Sequence, residues 1–462
     1  MITSALVLLA DDNNDECAFL ETASMPLFKR AIFSGQKAGI DKFIILYSGK
    51  KKSEIERSLS MDKRVRSEIK IIDVLNKTED VLIDIRSAPE QNYLIIEANT
   101  FFDNNRLLQE FSQISLRDEV AAITIDKTVN ISAKEHKDRN RQISADHWYV
   151  KLSNNKVSAI SQGLENYDGR AAGIVLASSG IVEILIKNLF ADATFSVYKL
   201  MAQQVKDGRI LAFDIKDNLC VEVLSKQQLQ ECEKRLYNSL GSSVDGPIID
   251  KYINRRISRV ITKQLVKTHI TPNQTTFLSL IIGIVSAWYF WQGGFWNYIA
   301  GGLVFQLSFI FDQCDGEIAR LKFMESRIGG WFDAFCDSII RTFIILGMTG
   351  SLYAKTNQSL ILILGILSSI GIFVSTMAGS YETLKKEEEA KSENTGSANT
   401  STANESKIGA FIDKFNNTDS FSIILFICIL SGHLTWFLWT IGIGSFAFTL
   451  VILIKLIIIG KT

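Results

Sequence analysis

The sequence predicts an α/β domain followed by an all-α membrane domain. Residues 1–240 alternate short apolar runs with amphipathic segments and mix charged with apolar residues, as soluble α/β domains do. Residues 274–462 consist mainly of long apolar runs broken by one polar insert, which is typical of membrane helices. Asp245-Gly246-Pro247 lies between the two patterns, and Gly-Pro ends regular structure. We therefore expect a soluble domain at 1–240, a linker at 241–273 and a membrane domain at 274–462.

In the first part, apolar runs predict the strands of a parallel, doubly wound sheet. These runs lie at 6–10, 43–47, 68–74, 93–97, 121–125 and 212–215, with a helix expected at 27–38. The region 154–166 is expected to be an exposed loop. The first apolar run is too short for a secretory signal and lacks a basic flank, so this domain is expected in the cytosol.

Composition limits the partners. The chain has 462 residues with 50 Lys+Arg against 50 Asp+Glu, so no overall basic charge argues for nucleic acid. The six cysteines include no C-x-x-C pair, which indicates structural thiols in a reducing compartment.

The linker contains a predicted basic amphipathic helix. Apolar residues recur at 249, 253, 257, 260 and 261, and Lys and Arg occupy the other faces. Such a helix lies in the membrane interface, or packs on protein as a coupling helix, and both interpretations can hold together.

The membrane domain is expected to cross the bilayer six times. The predicted spans are 274–291, 295–318, 329–353, 358–380, 419–434 and 436–459. Lys and Arg are concentrated between spans two and three and between spans four and five, which predicts that both termini face the cytosol. The segment 385–417 is rich in Glu, Ser, Thr, Asn and Ala and is expected to be a disordered cytosolic loop.

Four carboxylates interrupt this apolar sequence. Asp312 and Asp315 are i,i+3 neighbours on a predicted helix, and Asp333 and Asp337 are i,i+4 neighbours on the next. An ionised carboxylate near hydrocarbon costs on the order of 3 kcal/mol, so a group of four needs a partner. Two facing helices would bring the four together as a site for hard divalent cations. A polar helix interface, an ion-conducting ring of carboxylates or a cation transporter is the alternative.

The spacing follows the pattern D-x2-D-G-x2-A-R-x8-G-x3-D-x3-D, here called the carboxylate motif (Asp312 to Asp337). It resembles the motif of the CDP-alcohol phosphotransferases, integral-membrane enzymes that move a substituted phosphate from a CDP-linked donor to an alcohol and release CMP. The resemblance implies two divalent cations, Mg²⁺ or Mn²⁺, held by Asp312, Asp315, Asp333 and Asp337, with Asp337 also the general base. It further implies a homodimer. The residues implied to bind the CDP donor are Gly316, Ala319, Arg320 and Gly329.

Three cations are candidates for the acceptor site. Lys385 and Lys386 follow the fourth predicted span, where they either bind an acceptor phosphate or anchor the helix at the interface. Arg341 lies one turn beyond Asp337 and either pairs with a motif carboxylate or reaches an anionic substrate.

Residues 1–240 resemble the sugar-phosphate nucleotidyltransferases, on Pro26-Leu27 through Ala38-Gly39-Ile40 and on the last strand and helix. The loop from Asp11 to Ser24 holds five acidic residues and no glycine, although such enzymes bind the triphosphate on a glycine-rich loop. The expected acidic metal ligands fall at Asn99 and close to Leu224, with Glu222 two residues away. These losses predict a catalytically inactive domain.

The order of domains resembles a fusion of inositol-1-phosphate cytidylyltransferase with di-myo-inositol-phosphate phosphate synthase. Three functions stay open at this point. The first is phospholipid synthesis from a CDP-lipid and inositol phosphate or a related polyol phosphate. The second is di-myo-inositol-phosphate phosphate synthesis from CDP-inositol, and the third is a non-catalytic scaffold or cation transporter.

Overall fold

A computed structural model describes residues 2–9, 16–49, 51–76, 80–86, 91–103, 106–116, 119–128, 147–205, 208–216, 218–240, 254–393 and 418–459. The chain divides into two compact units, Met1–Ser242 and Ser243–Thr462.

The first unit is built from strands and helices in alternation. Its strands are β1 Ser4–Leu9, β2 Glu21–Thr22, β3 Met25–Pro26, β4 Lys42–Tyr47, β5 Glu68–Asp73, β6 Asn92–Glu97, β7 Thr100–Phe102, β8 Ala121–Asp126, β9 Trp148–Ser153, β10 Lys156–Gln162, β11 Gly169–Ser178, β12 Ile210–Asp214 and β13 Cys220–Glu222. Its helices are α1 Leu27–Lys37, α2 Lys52–Ser60, α3 Asp80–Arg86, α4 Arg106–Ser112, α5 Ser179–Ala191, α6 Val197–Gln204 and α7 Lys226–Ser239, with a 3₁₀ turn at Val74–Asn76.

A nine-stranded sheet forms the centre of this unit, in the order β5-β4-β1-β6-β11-β8-β12-β10-β9. In β1, Leu6 and Leu8 pack into the core under α3, α5 and α6, whereas Ala5, Val7 and Leu9 pack into the core under α1, α2 and α4. The two faces of the sheet are therefore each covered by helices. The continuous apolar run of β1 requires this, because successive side chains of a strand point to opposite faces. This confirms the predicted α/β fold class.

The sheet is mixed, not wholly parallel as the sequence suggested. β11 runs antiparallel to β6 and β8, and β9 and β10 form an antiparallel pair. This pair is a hairpin whose second strand, Lys156–Gln162, lies within the region 154–166, where an exposed loop was expected, so that prediction was wrong for the strand. Asn154 and Asn155 form its turn with φ of 50° and 63°. Asparagine tolerates this left-handed conformation, and two-residue hairpin turns need it.

The second unit is entirely helical in the residues that the structure describes. Its helices are α8 Arg255–Leu265, α9 Pro272–Gln292, α10 Phe295–Leu321, α11 Arg327–Thr356, α12 Ser359–Glu393, α13 Thr418–Leu430 and α14 Leu434–Ile459. Helices α9 to α14 occupy the six predicted spans.

In helix α9 the distribution of apolar residues is the reverse of that in a soluble domain. Its buried positions are mainly small or polar, such as Ser279, Gly283 and Ser286, whereas Phe277 and Trp288 are 54% and 55% exposed. Small residues inside and large apolar residues outside are typical of membrane helices.

Three helices are long and apolar enough to cross a membrane by length and composition: Pro272–Gln292, Arg327–Thr356 and the Ser359–Tyr381 part of α12. Helix α10 is long enough, but the charged residues of the carboxylate motif lower its hydropathy. Six crossings therefore stay a prediction.

Helix α12 continues to Glu393, nine residues into the segment expected to be disordered from residue 385. The prediction of disorder was wrong for these nine residues. Seven of these nine residues are Lys or Glu, which favour helix. Residues 394–417, the rest of that expected loop, lie outside the described residues.

Candidate metal and substrate site

The carboxylate motif occupies two helices and their connection. Helix α10 carries Asp312 and Asp315 near its carboxyl end, and α11 carries Asp333 and Asp337 near its amino end. Ser326 caps α11, because its Oγ accepts a hydrogen bond from the Gly329 N–H at 3.0 Å. Because α10 ends and α11 begins at this short connection, the two pairs of aspartates lie close together.

Three of the four aspartates converge. Asp312, Asp315 and Asp333 each present a carboxylate oxygen, and these oxygens lie within 4.8 Å of one another. Asp312 Oδ1 and Asp333 Oδ1 are buried and have no hydrogen-bond partner among the described residues. Carboxylates this close repel one another unless a cation lies between them. An all-oxygen donor set with unpartnered buried oxygens fits Mg²⁺ or Mn²⁺.

Asp337 lies outside this trio and has a different partner. Its Oδ2 accepts a hydrogen bond from Arg341 Nη2 at 2.8 Å, one turn along α11. The Arg341 side chain is 6% exposed, and its Nη1 lies 3.5 Å from Thr376 Oγ1 on α12. Arg341 therefore pairs with a motif carboxylate in this structure, the first of the two interpretations that the sequence left open.

The small residues of the motif differ in their surroundings. A Cβ placed on Gly316 would meet no atom within 4 Å, so this residue borders open space. A Cβ on Gly329 would lie 2.9 Å from Ser326 Oγ and 3.5 Å from Asn273 Oδ1. Ala319 is half-buried and Arg320 is exposed. Lys385 and Lys386 lie in α12, and their side chains are outside the described residues.

One residue that contacts the cluster was missed by the sequence analysis. Thr276 on α9 is buried, and its Oγ1 donates a hydrogen bond to Asp315 Oδ2. In the sequence it is a threonine four residues after Pro272, where α9 begins. Without a structure, nothing separates it from the other hydroxyls of α9.

Lys322 also has a role that its position between two predicted spans did not suggest. It is 7% exposed, and its Nζ donates to the carbonyl oxygens of Thr268 and Ile270 at 2.7 and 3.1 Å. The residue therefore fixes the segment before α9 to the end of α10.

In the first unit, the positions expected to carry metal ligands lie side by side. β7 pairs with β13 so that Thr100 is opposite Glu222. Asn99 is fully buried, and its Nδ2 donates to the Val223 carbonyl oxygen at 3.0 Å. An amide with a structural hydrogen bond thus occupies the place of an expected acid. Residues 11–15 of the expected triphosphate loop lie outside the described residues.

The solved structures that align with this chain include two nucleotidyltransferases, each over about half of its length. The inositol-1-phosphate CTP transferase from T. maritima aligns with a TM-score of 0.39 and 16% identity, covering 51% of this chain and 96% of that one. A UDP-glucose pyrophosphorylase aligns with a TM-score of 0.39 and 13% identity, covering 52% of this chain and 100% of that one.

Curated relatives match about half of the chain or less. A bifunctional IPC transferase and DIPP synthase of Archaeoglobus fulgidus is 27% identical over 207 residues, 45% of this chain and 40% of the relative. The protein of the same name from Rubrobacter xylanophilus is 32% identical over 43% of this chain and 45% of its own length. An archaetidylinositol phosphate synthase of Pyrococcus horikoshii is 30% identical over 19% of this chain and 45% of its own length. The match therefore spans less than half the length of each of these relatives.

The family model described as CDP-alcohol phosphatidyltransferase matches residues 269–402, a range that contains the whole carboxylate motif. The helical half of this chain therefore contains a region that matches the family model of the CDP-alcohol phosphatidyltransferases.

Proposed function

We propose that this protein is an integral-membrane CDP-alcohol phosphotransferase. It transfers a substituted phosphate from a CDP-linked donor to an alcohol acceptor and releases CMP. The acceptor is inositol phosphate or a related polyol phosphate, and the product is a phospholipid. The names of the relatives, which include an archaetidylinositol phosphate synthase, support this choice of acceptor.

The observation that carries the proposal is the convergence of Asp312, Asp315 and Asp333 from two helices. A structural role would pair such carboxylates with Lys or Arg, yet two of the three have a buried oxygen without a partner among the described residues. A diphosphate and three carboxylates are all anionic, so the diphosphate can approach this cluster only if cations neutralise the negative charge of both groups.

These three aspartates would hold two divalent cations, Mg²⁺ or Mn²⁺, which when bound neutralise the donor's diphosphate and stabilise the CMP leaving group. Asp337 would be the general base and take the proton from the acceptor hydroxyl. It would also complete the set of cation ligands. Arg341 would fix the position of the Asp337 carboxylate through its 2.8 Å hydrogen bond.

The remaining motif residues would bind the donor. Gly316 borders open space, so the nucleotide can approach the backbone of α10 there. Ala319 and Gly329 would likewise let the nucleotide approach the helix backbones, and the exposed Arg320 would contact a phosphate. Lys385 and Lys386 would bind the acceptor's phosphate. We expect a single direct displacement, because no activated Ser, Cys or His accompanies the motif.

The membrane arrangement completes the proposal. Six helices cross the bilayer, with both termini and the carboxylate motif on the cytosolic side, as the distribution of Lys and Arg favours. Membrane lipids surround the exposed apolar side chains of α9 to α14. The functional form is a homodimer.

The experiment that tests the proposal is CMP release by the purified protein with Mg²⁺. CDP-diacylglycerol and CDP-inositol are compared as donors, each with inositol 1-phosphate. Release with the lipid donor alone is the expected result. The Asp312→Ala variant serves as the control for contaminating activity, because it removes a cation ligand.

A second candidate function is di-myo-inositol-phosphate phosphate synthesis from CDP-inositol. The names of the relatives favour it, since DIPP synthase is part of them. Release of CMP with CDP-inositol alone would select this candidate and require another enzyme to supply the donor. No release with either donor would leave the scaffold or transporter.

A further inference from the structure

Glu317 is an acidic residue of the carboxylate motif that the proposed mechanism does not use. It lies two positions after Asp315 and is 3% exposed. Residues two apart on a helix point to nearly opposite sides. Asp315 accepts a hydrogen bond from Thr276 of α9, whereas Glu317 Oε1 accepts one from Ser258 of α8 at 2.9 Å. The two carboxylates thus tie the same turn of α10 to two different helices.

The basic helix α8, with the Asn254 that precedes it, turns a polar stripe toward α10. Asn254, Ser258 and Thr262 recur every four residues and are all fully buried. Asn254 Oδ1 accepts a hydrogen bond from Gln306 Nε2 at 2.7 Å. Cys314 Sγ lies 3.5 Å from the Ser258 carbonyl oxygen. Polar atoms therefore make the contact between α8 and α10 at several points along both helices.

The other side of α8 carries apolar and basic side chains. Ile257 and Val260 are 42% and 66% exposed, and Arg256 and Lys263 are exposed beside them. Apolar residues on the outer face together with cations are typical of a helix that lies on a membrane surface. The apolar residues of the amphipathic pattern are therefore not the ones that contact α10. That contact is made by the polar stripe.

We propose that Ser258 and Glu317 form an anchor through which the interfacial helix α8 positions the carboxylate-bearing turn of α10. Glu317 is a positioning residue and not a cation ligand, because it faces away from the aspartate trio. A buried carboxylate that loses its hydrogen-bond donor is costly, so the turn would shift to find another partner. That shift would move Asp315, two residues away. The inference rests on the proposed function.

The kinetic test uses Glu317→Ala, Glu317→Gln, Ser258→Ala and the double variant Ser258→Ala/Glu317→Ala. We expect Ser258→Ala, which leaves the buried Glu317 carboxylate without this donor, and Glu317→Ala, which removes the anchor itself, each to lower kcat for CMP release by about tenfold or more. Displaced catalytic groups cost rate steeply. Glu317→Gln should keep most of the activity, since its side-chain oxygen still accepts from Ser258. The double variant should lose no more activity than the less active of the two single alanine variants. The matched control is Glu325→Gln, an exposed carboxylate between α10 and α11, which should be neutral.

A cysteine-labelling test measures whether α8 is docked on α10 and does not depend on enzyme activity. Thr262→Cys places a thiol in the polar stripe, and Lys263→Cys places one beside it on the exposed side. A soluble maleimide should label the second variant and spare the first. Adding Glu317→Ala should make the cysteine at position 262 reactive.

The possible results test the anchor, the positioning role and the proposed function separately. If Glu317→Gln loses as much activity as Glu317→Ala and shifts the Mg²⁺ dependence, Glu317 is a cation ligand and the anchor is wrong. If Glu317→Ala exposes the thiol at position 262 with kcat unchanged, α8 is only docked and the positioning role is overturned. If the wild-type protein releases no CMP from any donor, the proposed function fails and the positioning role with it. The labelling pattern would then still report whether α8 docks through its polar stripe.

Discussion

At the scale of single residues, the four motif aspartates differ in what holds them. Thr276 donates to Asp315, and Arg341 donates to Asp337. Asp312 and Asp333 each keep a buried oxygen without a partner among the described residues. Two aspartates are therefore oriented by protein groups, and the other two have oxygens left for a cation. Asp315 also presents a carboxylate oxygen to the trio with Asp312 and Asp333, so we keep it among the proposed cation ligands.

Thr276→Val removes the hydroxyl that orients Asp315 and changes little else in volume. A hydrogen bond to a charged group contributes about 1.5–3 kcal/mol, so we expect CMP release to fall about tenfold or more and to need more Mg²⁺. Thr276→Ser keeps the hydroxyl and should keep the activity. Initial rates across a Mg²⁺ titration measure both effects. A Thr276→Val protein with an unchanged titration would show that Asp315 needs no orienting partner.

Asp337→Asn keeps the shape of the side chain and removes its basicity. We expect a loss of CMP release of at least about a hundredfold, the usual contribution of a general base. Binding of the CDP donor should survive, whereas Asp312→Ala should lose it together with the cation. Calorimetric titration of the donor into each variant measures donor binding and so distinguishes the role of Asp337 from that of Asp312. Turnover by Asp337→Asn close to wild type would assign the base to another group.

At the scale of elements, an ion-pair cluster ties α1 to the segment after α2. Lys29 Nζ on α1 lies 2.7 Å from Asp62 Oδ2, and Arg64 Nη2 lies 2.6 Å from the same oxygen. The Asp62 side chain is 11% exposed. Partial burial would raise its pKa, but hydrogen bonds from Arg64 and Lys29 outweigh burial and hold the pKa well below its ordinary value of 3.8.

Asp62→Asn should therefore destabilise α1 in a way that depends on pH. A depressed carboxylate pKa contributes stability above the unfolded value of about 3.9, and that contribution is lost as the pH falls toward the folded value. We expect a loss of about 1–3 kcal/mol at neutral pH and a smaller loss below about pH 4. Hydrogen exchange of the 27–37 peptide at both pH values, corrected for intrinsic rates, measures this. The exposed Asp41→Asn is the control. Equal losses at both pH values would contradict the ionic origin.

Sequence patterns could predict the elements that have strong periodicity. The long apolar runs fixed α9 to α11 to within a few residues, and the four aspartates could be placed on facing helices. The β9–β10 hairpin was missed because its strands lack a strict alternation and its Asn-Asn turn is short. Glu317 was missed because its role depends on which helix packs against α10. Such contacts between distant segments are not encoded in local spacing.

At the scale of the whole molecule, two compact units share one chain. The carboxylate motif, its partners Thr276 and Arg341, and the anchor at Ser258 all belong to the second unit. In the first unit, Asn99 is bound to the Val223 carbonyl, and the loop from Asp11 to Ser24 has no glycine to approach a triphosphate. We therefore expect all the chemistry to come from the second unit.

A protein truncated to residues 243–462 should thus keep most of the CMP-release rate of the full chain. The full chain should release no pyrophosphate from CTP and inositol 1-phosphate. The Asn99→Asp variant should not gain this activity, because the new carboxylate would lose the amide's hydrogen bond to Val223 and face Glu222 nearby. Truncated Asp312→Ala is the negative control for CMP release. Pyrophosphate release by the wild-type chain would show an active first unit. In that case the order of the two units would describe consecutive reactions, with the first supplying a CDP-linked donor to the second.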